Sequence, residues 1–117
     1  MWSHMRAALE DVWRALADPT RRRILDLLRA GPRTTGELCA RFAVSRFAVM
    51  KHLAILERAG LVLVRRESRQ RWNYLNAVPI RQIYERWIRD YEGVWAGSLL
   101  TLKRHVEGSG RERGRTS

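Results

Sequence analysis

The feature that most restricts the fold of this chain is a pair of short helical segments joined by a very short link. Thr34 begins the first segment, and Glu37 follows at the spacing of a capping box. Ser45 caps the second segment, which ends at Gly60. Because only residues 43–44 separate the two segments, the helices must pack directly against each other.

The second segment, SRFAVMKHL at residues 45–53, has two distinct faces. Val49, Leu53 and Leu56 follow i, i+4, i+7 spacing, so they are expected to face a core. The opposite face carries no acidic residue. Its side chains are Arg46, Phe47, Met50 and Lys51. Two short helices with a tight turn, the second of them basic outside, predict a helix-turn-helix motif.

The flanking segments extend this motif on both sides. Helical spacing predicts a first helix over residues 7–17, and Asp18-Pro19 starts a second helix that Gly31-Pro32 ends. Three arginines, residues 21–23, lie at the unfavourable end of that second helix. We therefore expect one of them to pair with an acid and another to face phosphate.

Downstream of Gly60 the pattern changes from helix to hairpin and back to helix. Residues 61–64 and 72–75 read as two strands around a charged tip, although the tip lacks the Asn-Gly that favours a tight turn. A long helix is predicted at roughly residues 79–106. The expected fold is mainly α with a small β-hairpin: one domain over residues 7–106 and a disordered basic tail at residues 107–117.

Charge and cysteine content narrow the class of protein. The 117 residues include 23 Lys and Arg against 12 Asp and Glu, a net charge of +11, which predicts a polyanionic partner such as nucleic acid or an anionic membrane surface. The single cysteine, Cys39, excludes an intrachain disulfide and suits a cytoplasmic setting. No apolar run reaches the roughly 18–20 residues of a membrane span.

With these features, the sequence resembles the ArsR family of bacterial transcriptional regulators. The resemblance rests on ALADPTRRRIL (15–25), TTGELCARF (34–42), SRFAVMKHLAILERAGLV (45–62) and RRESRQRWNYLN (65–76), in this order. It implies a winged helix-turn-helix, with a hairpin wing beside the recognition helix. It also implies a homodimeric DNA-binding repressor whose first and last helices form the dimer interface.

The chain departs from the metal-sensing members of the family. Those with a thiolate site on the third helix show ELCVC-type pairs, whereas this chain reads ELCAR, with Arg41 in place of the second thiolate. One thiol cannot build a soft-metal site, which needs three or four ligands. We therefore expect no metal and no cofactor, and Cys39 reads as a small packed residue of the turn.

The candidate DNA contacts lie on the recognition helix and the wing. Arg46 suits a guanine or a phosphate, Phe47 a thymine methyl group, and Lys51 a phosphate. The basic wing suits the flanking minor groove or backbone. The predicted DNA-binding residues are Ser45, Arg46, Phe47, Met50, Lys51, Arg65, Arg69 and Arg71; the alternative for each is an ordinary solvated side chain.

Apolar side chains on the two terminal helices form the candidate dimer interface. The predicted residues are Leu9, Val12, Trp13, Trp87, Tyr91, Trp95 and Leu99. Two alternatives stay open. These side chains could cover the core of their own chain, or the aromatic ones could line a pocket for a small-molecule effector.

The sequence thus predicts a sequence-specific, homodimeric repressor that binds a pseudo-palindromic operator in double-stranded DNA. The alternative is a non-specific architectural nucleic-acid-binding protein, which would use the same charge without a preferred site. No phosphate-cradling glycine loop or nucleophile–base set appears, so an enzyme is not expected.

Overall fold

The computed structural model describes the backbone of residues 2–116 and the side chains of residues 6–94, 97 and 101–107. Its elements are α1 (Trp2–Leu16), α2 (Pro19–Arg29), β1 (Arg33–Thr34), α3 (Thr35–Arg41), α4 (Arg46–Arg58), β2 (Val62–Glu67), β3 (Gln70–Leu75), α5 (Val78–Ile83), a π-helical turn (Tyr84–Ile88) and α6 (Arg89–Thr116). The predicted fold class is confirmed. The chain divides into two compact units, residues 1–81 and 82–117, which are described separately.

The helices α2, α3 and α4 begin at the predicted capping residues, whereas α1 begins at Trp2, five residues before its predicted start. Side-chain oxygens of Asp18, Thr34 and Ser45 each accept a hydrogen bond from the amide three residues later, over 3.0–3.1 Å. Each cap satisfies one of the amides that a helix start leaves unpaired. These caps fix where α2, α3 and α4 begin.

The core of the first unit is aliphatic and centres on α4. The three residues predicted to face inward from α4 are fully buried. The largest fully buried aliphatic side chains of the unit are Ile24, Leu38, Val49, Leu53, Leu56, Leu61 and Val62. Because the buried stripe fixes the rotation of α4 about its axis, the opposite face must point outward.

The sheet has three antiparallel strands in the order β1-β3-β2. The predicted hairpin of β2 and β3 is present, whereas the two-residue strand β1 was not predicted because two residues carry no periodicity. Asn73 is buried on β3 and donates through Nδ2 to the carbonyl of Arg33 (3.2 Å) and to Oγ1 of Thr35 (3.1 Å). This side chain ties the hairpin to the start of α3.

The hairpin, called the wing below (residues 62–75), closes through two residues in the left-handed region. Ser68 has φ 50° and Arg69 has φ 67°, between the paired residues Glu67 and Gln70. Positive φ at both central positions is the geometry of a type I′ turn, which normally takes Asn-Gly. Ser68 and Arg69 therefore adopt a left-handed backbone conformation that is unfavourable for any residue with a Cβ atom and that glycine would adopt without this cost.

The arginines at the start of α2 satisfy the end of α1. Arg21 donates from Nε to the carbonyl of Ala15 and from Nη2 to the carbonyl of Arg14, both over 2.8 Å. Its Nη1 lies 3.2 Å from Nδ1 of His52 on α4, and because a guanidinium only donates, Nδ1 is the acceptor. The guanidinium of Arg21 thus binds helix carbonyls and His52, whereas the sequence predicted an acid partner or a phosphate contact for members of residues 21–23. This guanidinium joins α1, α2 and α4.

Arg22 also donates a hydrogen bond to a carbonyl at the end of α1. Its Nη1 donates to the carbonyl of Leu16 over 2.8 Å, so it also caps the negative end of the α1 dipole. Both arginines sit at the unfavourable end of their own helix because the C-terminus of another helix adjoins them. That pairing is tertiary, so helix-dipole arguments within α2 alone could not find it.

The carboxylate of Asp18 adjoins this cluster, with Oδ2 at 3.9 Å from Nδ1 of His52. Partial burial is the largest influence on the pKa of Asp18 and raises it. Amide hydrogen bonds and the electrostatic effects of the neighbouring His52 and Arg21 together outweigh burial, so the pKa of Asp18 lies below its usual range. The charged form of Asp18 therefore stabilises the fold.

The last helix differs in two respects from the single helix predicted over residues 79–106. A π-helical turn, Tyr84–Ile88, interrupts it, and Tyr84 donates from its hydroxyl to Glu92 over 2.6 Å. The helical backbone then continues to Thr116, past residue 107, where the sequence predicted a disordered tail. Gly108, Gly110 and Gly114 disfavour helix, which is why local propensity did not predict helical backbone here.

Replacing Asp18 by Asn keeps a capping acceptor but removes the charge. Because the folded-state pKa of Asp18 is lowered, its charge contributes stability above the unfolded-state pKa, and this contribution is lost as the pH falls through the folded-state pKa. We expect Asp18→Asn to be less stable at pH 7 by up to about 1 kcal/mol, since the site is partly solvated. Urea unfolding at pH 7 and at about pH 3 measures the difference, which should shrink at the lower pH.

The matched control is Asp26→Asn, an exposed position in α2. A stability difference for Asp18→Asn that stays constant between the two pH values would contradict this account of the cap.

Candidate nucleic-acid interface

The outward face of α4 presents the side chains that the sequence placed there. Arg46, Phe47 and Lys51 are exposed and Met50 is half-buried. Phe47 has 77% of its surface exposed, the largest fraction among the exposed large apolar side chains of the described residues. The Oγ of Ser45 accepts from the amide of Ala48, so the first role of this hydroxyl is to cap the helix.

A basic cleft lies between α4, the start of α3 and the wing. It is lined by Thr34, Thr35, Gly36, Arg46, Met50, Arg66, Arg69, Gln70 and Arg71. Four of these nine residues are arginines and none is acidic. Four of the eight predicted contacts, Arg46, Met50, Arg69 and Arg71, thus meet on one concave, positively charged surface. The other four, Ser45, Phe47, Lys51 and Arg65, are not among the residues that line it.

Arg71 forms a salt bridge with Glu57 of α4. Its Nη2 donates to Oε2 of Glu57 over 2.8 Å, and its side chain is mostly covered. Glu57 is the acidic residue of α4, so this pair removes the negative charge from the recognition helix and braces β3 against it. The sequence predicted a direct DNA contact for Arg71; the structure shows its guanidinium paired with Glu57 at the edge of the cleft.

The other wing arginines divide between the two faces of the hairpin. Arg65 is exposed and pairs with Glu67 on the same strand, with 3.0 Å between Nε and Oε1. Arg66 lies opposite Arg71 in the strand pairing and lines the basic cleft, although it is absent from the predicted contacts. Strand alternation is the signal that separates Arg66 from Arg65, but it requires knowing which face of the wing adjoins α4. Arg69 lies exposed at the tip.

The candidate dimer residues fall into three groups. Trp13 is 43% exposed, Trp87 42% and Tyr91 57%, so each leaves much aromatic surface uncovered, while Leu9 is half-buried. Val12 is only 3% exposed in the single chain, which removes it from the candidate interface and makes it a core residue. The side chains of Trp95 and Leu99 lie outside the described residues.

Cys39 is a free thiol and half-buried. Across the side chains that the structure describes, no group of three or more His, Cys, Asp or Glu residues is placed to hold a metal ion. The described helices likewise include none that is long and apolar enough to cross a membrane.

Comparison with known sequences identifies the class of protein. A family described as a helix-turn-helix domain matches residues 16–65, from the end of α1 into the wing. The chain is 34% identical over 73 residues to the transcriptional repressor SdpR of Bacillus subtilis, which covers 62% of this chain and 81% of that protein. It is also 34% identical over 98 residues to the HTH-type transcriptional regulator Rv2034 of Mycobacterium tuberculosis, covering 84% and 88% of the two chains.

Solved structures agree in fold. An ArsR-like transcriptional regulator from Rhodococcus sp. RHA1 superposes with a TM-score of 0.69 at 29% identity, over 92% of this chain and 98% of that one. A crystal structure of an ArsR family transcriptional regulator gives a TM-score of 0.69 at 32% identity, over 78% and 93% of the two chains. These relatives are regulators and not enzymes, as the sequence predicted. The chain belongs to the ArsR family of winged helix-turn-helix, DNA-binding transcriptional regulators.

Proposed function

We propose that this regulator is a homodimeric repressor that places α4 of each subunit in the major groove of a pseudo-palindromic operator. The observation that carries the proposal is the basic cleft between α4 and the wing, which has four arginines and no acid among its lining residues. A surface of this kind suits the DNA backbone on both sides of a groove. The relative SdpR of Bacillus subtilis is a transcriptional repressor, which supports a repressor role for this chain.

Each basic side chain takes a role that its position suits. Arg46, in the first turn of α4, reads guanine through a bidentate contact, because recognition helices meet base edges with their first turns. Lys51, five residues further along, holds a phosphate. Arg66 and Arg69 hold the backbone or minor groove beside the recognition helix, and Arg71 supports them from within the wing.

Exposed aromatic side chains in each of the two units support the homodimer. In the single chain Trp13, Trp87 and Tyr91 leave about half of their surface in water, which is unfavourable for side chains of this size. We assign these side chains to contact with a second copy, in preference to an effector pocket. A two-fold axis then sets two α4 helices about 34 Å apart, one turn of DNA.

Repression follows from occupancy of the operator, since a bound dimer blocks access to the promoter. The DNA partner places the protein in the cytoplasm, where a bacterial chromosome is found. The proposal requires no cofactor, metal or membrane.

The role of Arg46 can be tested by selecting bound sequences from random duplexes with the parent chain and with Arg46→Ala. We expect a two-fold-symmetric sequence for the parent, relaxed at one position per half-site in the variant, with a cost of about 1–3 kcal/mol per lost bidentate contact. Arg29→Ala, which removes the same charge from the end of α2, is the matched control and should keep the full sequence. Selection without any enriched sequence would favour the architectural alternative.

Arg69→Gly should separate stability from binding. Glycine removes the cost of the left-handed conformation at φ 67°, so thermal unfolding should show a gain of about 1 kcal/mol. Loss of the guanidinium should at the same time weaken operator binding and reduce the dependence of affinity on salt by about one phosphate contact. A variant that is stabilised but binds like the parent would remove Arg69 from the interface.

Tyr91→Arg tests the dimer contact. Placing a charge in an apolar interface should shift the protein from dimer to monomer in sedimentation equilibrium, because a buried unpaired charge is strongly unfavourable. The monomer should then bind a full operator no more tightly than a half-site. A variant that stays dimeric would contradict the assignment of this surface.

A further inference from the structure

Phe47 is an unusually exposed apolar side chain on the outward face of α4. A phenylalanine with 77% of its surface in water gains little from folding, and it lies directly beside Arg46 in the first turn of α4. Its backbone is rigid, since the Ser45 cap fixes the start of the helix and Val49 is fully buried. The ring is therefore held outward by the fold.

The chemistry of the major groove restricts what such a ring can contact. Phosphates and sugars are polar, and the base edges present hydrogen-bond donors and acceptors. The exception is the methyl group at C5 of thymine, the one apolar group that a standard base pair shows in this groove. An aromatic side chain that enters the groove on a recognition helix thus has one apolar partner available.

We propose that Phe47, with Met50 beside it, reads the C5-methyl group of a pyrimidine in the operator. Phe47 and Met50 are three residues apart, so they are neighbours on the helix surface, and Met50 also lines the basic cleft together with Arg46. The proposal rests on the proposed function and adds a specific chemical group to it. It predicts a thymine next to the guanine that Arg46 reads, in each half-site.

The same group occurs in 5-methylcytosine. A cytosine at the position read by Phe47 should therefore bind more tightly after methylation at C5, because methylation restores the apolar partner without changing the base pair. Operator recognition by this surface should depend on the methylation state of the DNA at that base.

The test uses the duplex recovered by selection with the full chain. Thymines are replaced one at a time by uracil, which removes only the C5-methyl group, and affinity is measured at constant salt. We expect about a fourfold loss at the position read by Phe47, and about fifteenfold when both half-sites are changed, from the burial of one methyl group each. In Phe47→Ala the thymine and uracil duplexes should bind equally.

Two further variants serve as controls. Phe47→Leu keeps an apolar side chain and should retain part of the preference for thymine. Val78→Ala shortens an exposed apolar side chain at the start of α5 and should retain all of it. Because Phe47 is exposed, neither of its substitutions should impair folding, which a thermal unfolding curve checks.

The outcomes separate the two proposals. Specific binding that is equal for thymine and uracil duplexes overturns the methyl assignment and leaves the repressor proposal standing. A thymine preference that persists in Phe47→Ala assigns the methyl group to another side chain and also overturns it. Selection that enriches no sequence defeats the repressor proposal itself, before any uracil is introduced.

Discussion

The guanidinium of Arg21 is the contact on which the presentation of the recognition helix depends. It closes the carboxyl end of α1 through two carbonyls, belongs to the first turn of α2, and reaches His52 on α4. One planar group with five donors can satisfy acceptors from several elements at once, which a lysine could not do. Three helices are thereby fixed relative to one another behind the surface that meets DNA.

Two more contacts fix the wing to the same frame. Glu57 and Arg71 connect α4 to β3, and Asn73 connects β3 to β1 and α3. The recognition helix and the wing are thus held before any partner binds. Because this surface is ordered before binding, DNA binding carries a smaller entropic cost, which favours affinity and specificity.

The net charge of +11 does not show which arginines are available to a partner. Arg21 and Arg22 satisfy helix carbonyls, and Arg71 neutralises an acid, so all three serve the fold. Arg46 and Arg69 are exposed in the basic cleft. Composition alone predicts a polyanionic partner, but the structure is needed to separate supporting cations from contacting ones.

Local signals explain what the sequence could predict. Caps at Asp18, Thr34 and Ser45, and the 3.6-residue periodicity of α4, each depend on residues a few positions apart. The contact between Arg21 and His52 spans 31 positions and that between Arg71 and Glu57 spans 14, so neither has a local pattern. For the same reason the sequence could not predict the ion pair of Arg71 or the burial of Val12.

Three further backbone features also had no signal in the sequence. The π-helical turn at Tyr84–Ile88 carries ordinary helix-forming residues, and the wing turn forms from Ser68 and Arg69 without the glycine that usually marks it. The two-residue strand β1 gains its partner only through Asn73 and Trp72 of the wing. For β1, tertiary pairing supplies what the local sequence lacks.

The most direct test of the account is the ratio of two affinities. The duplex recovered by selection and a scrambled duplex of the same length and composition are titrated with the full chain at one salt concentration near physiological strength. A preorganised reader of base edges predicts a ratio of about 10³ or more. A ratio near one would show that the ordered surface between α4 and the wing recognises only the charge of the DNA backbone, and would contradict the account.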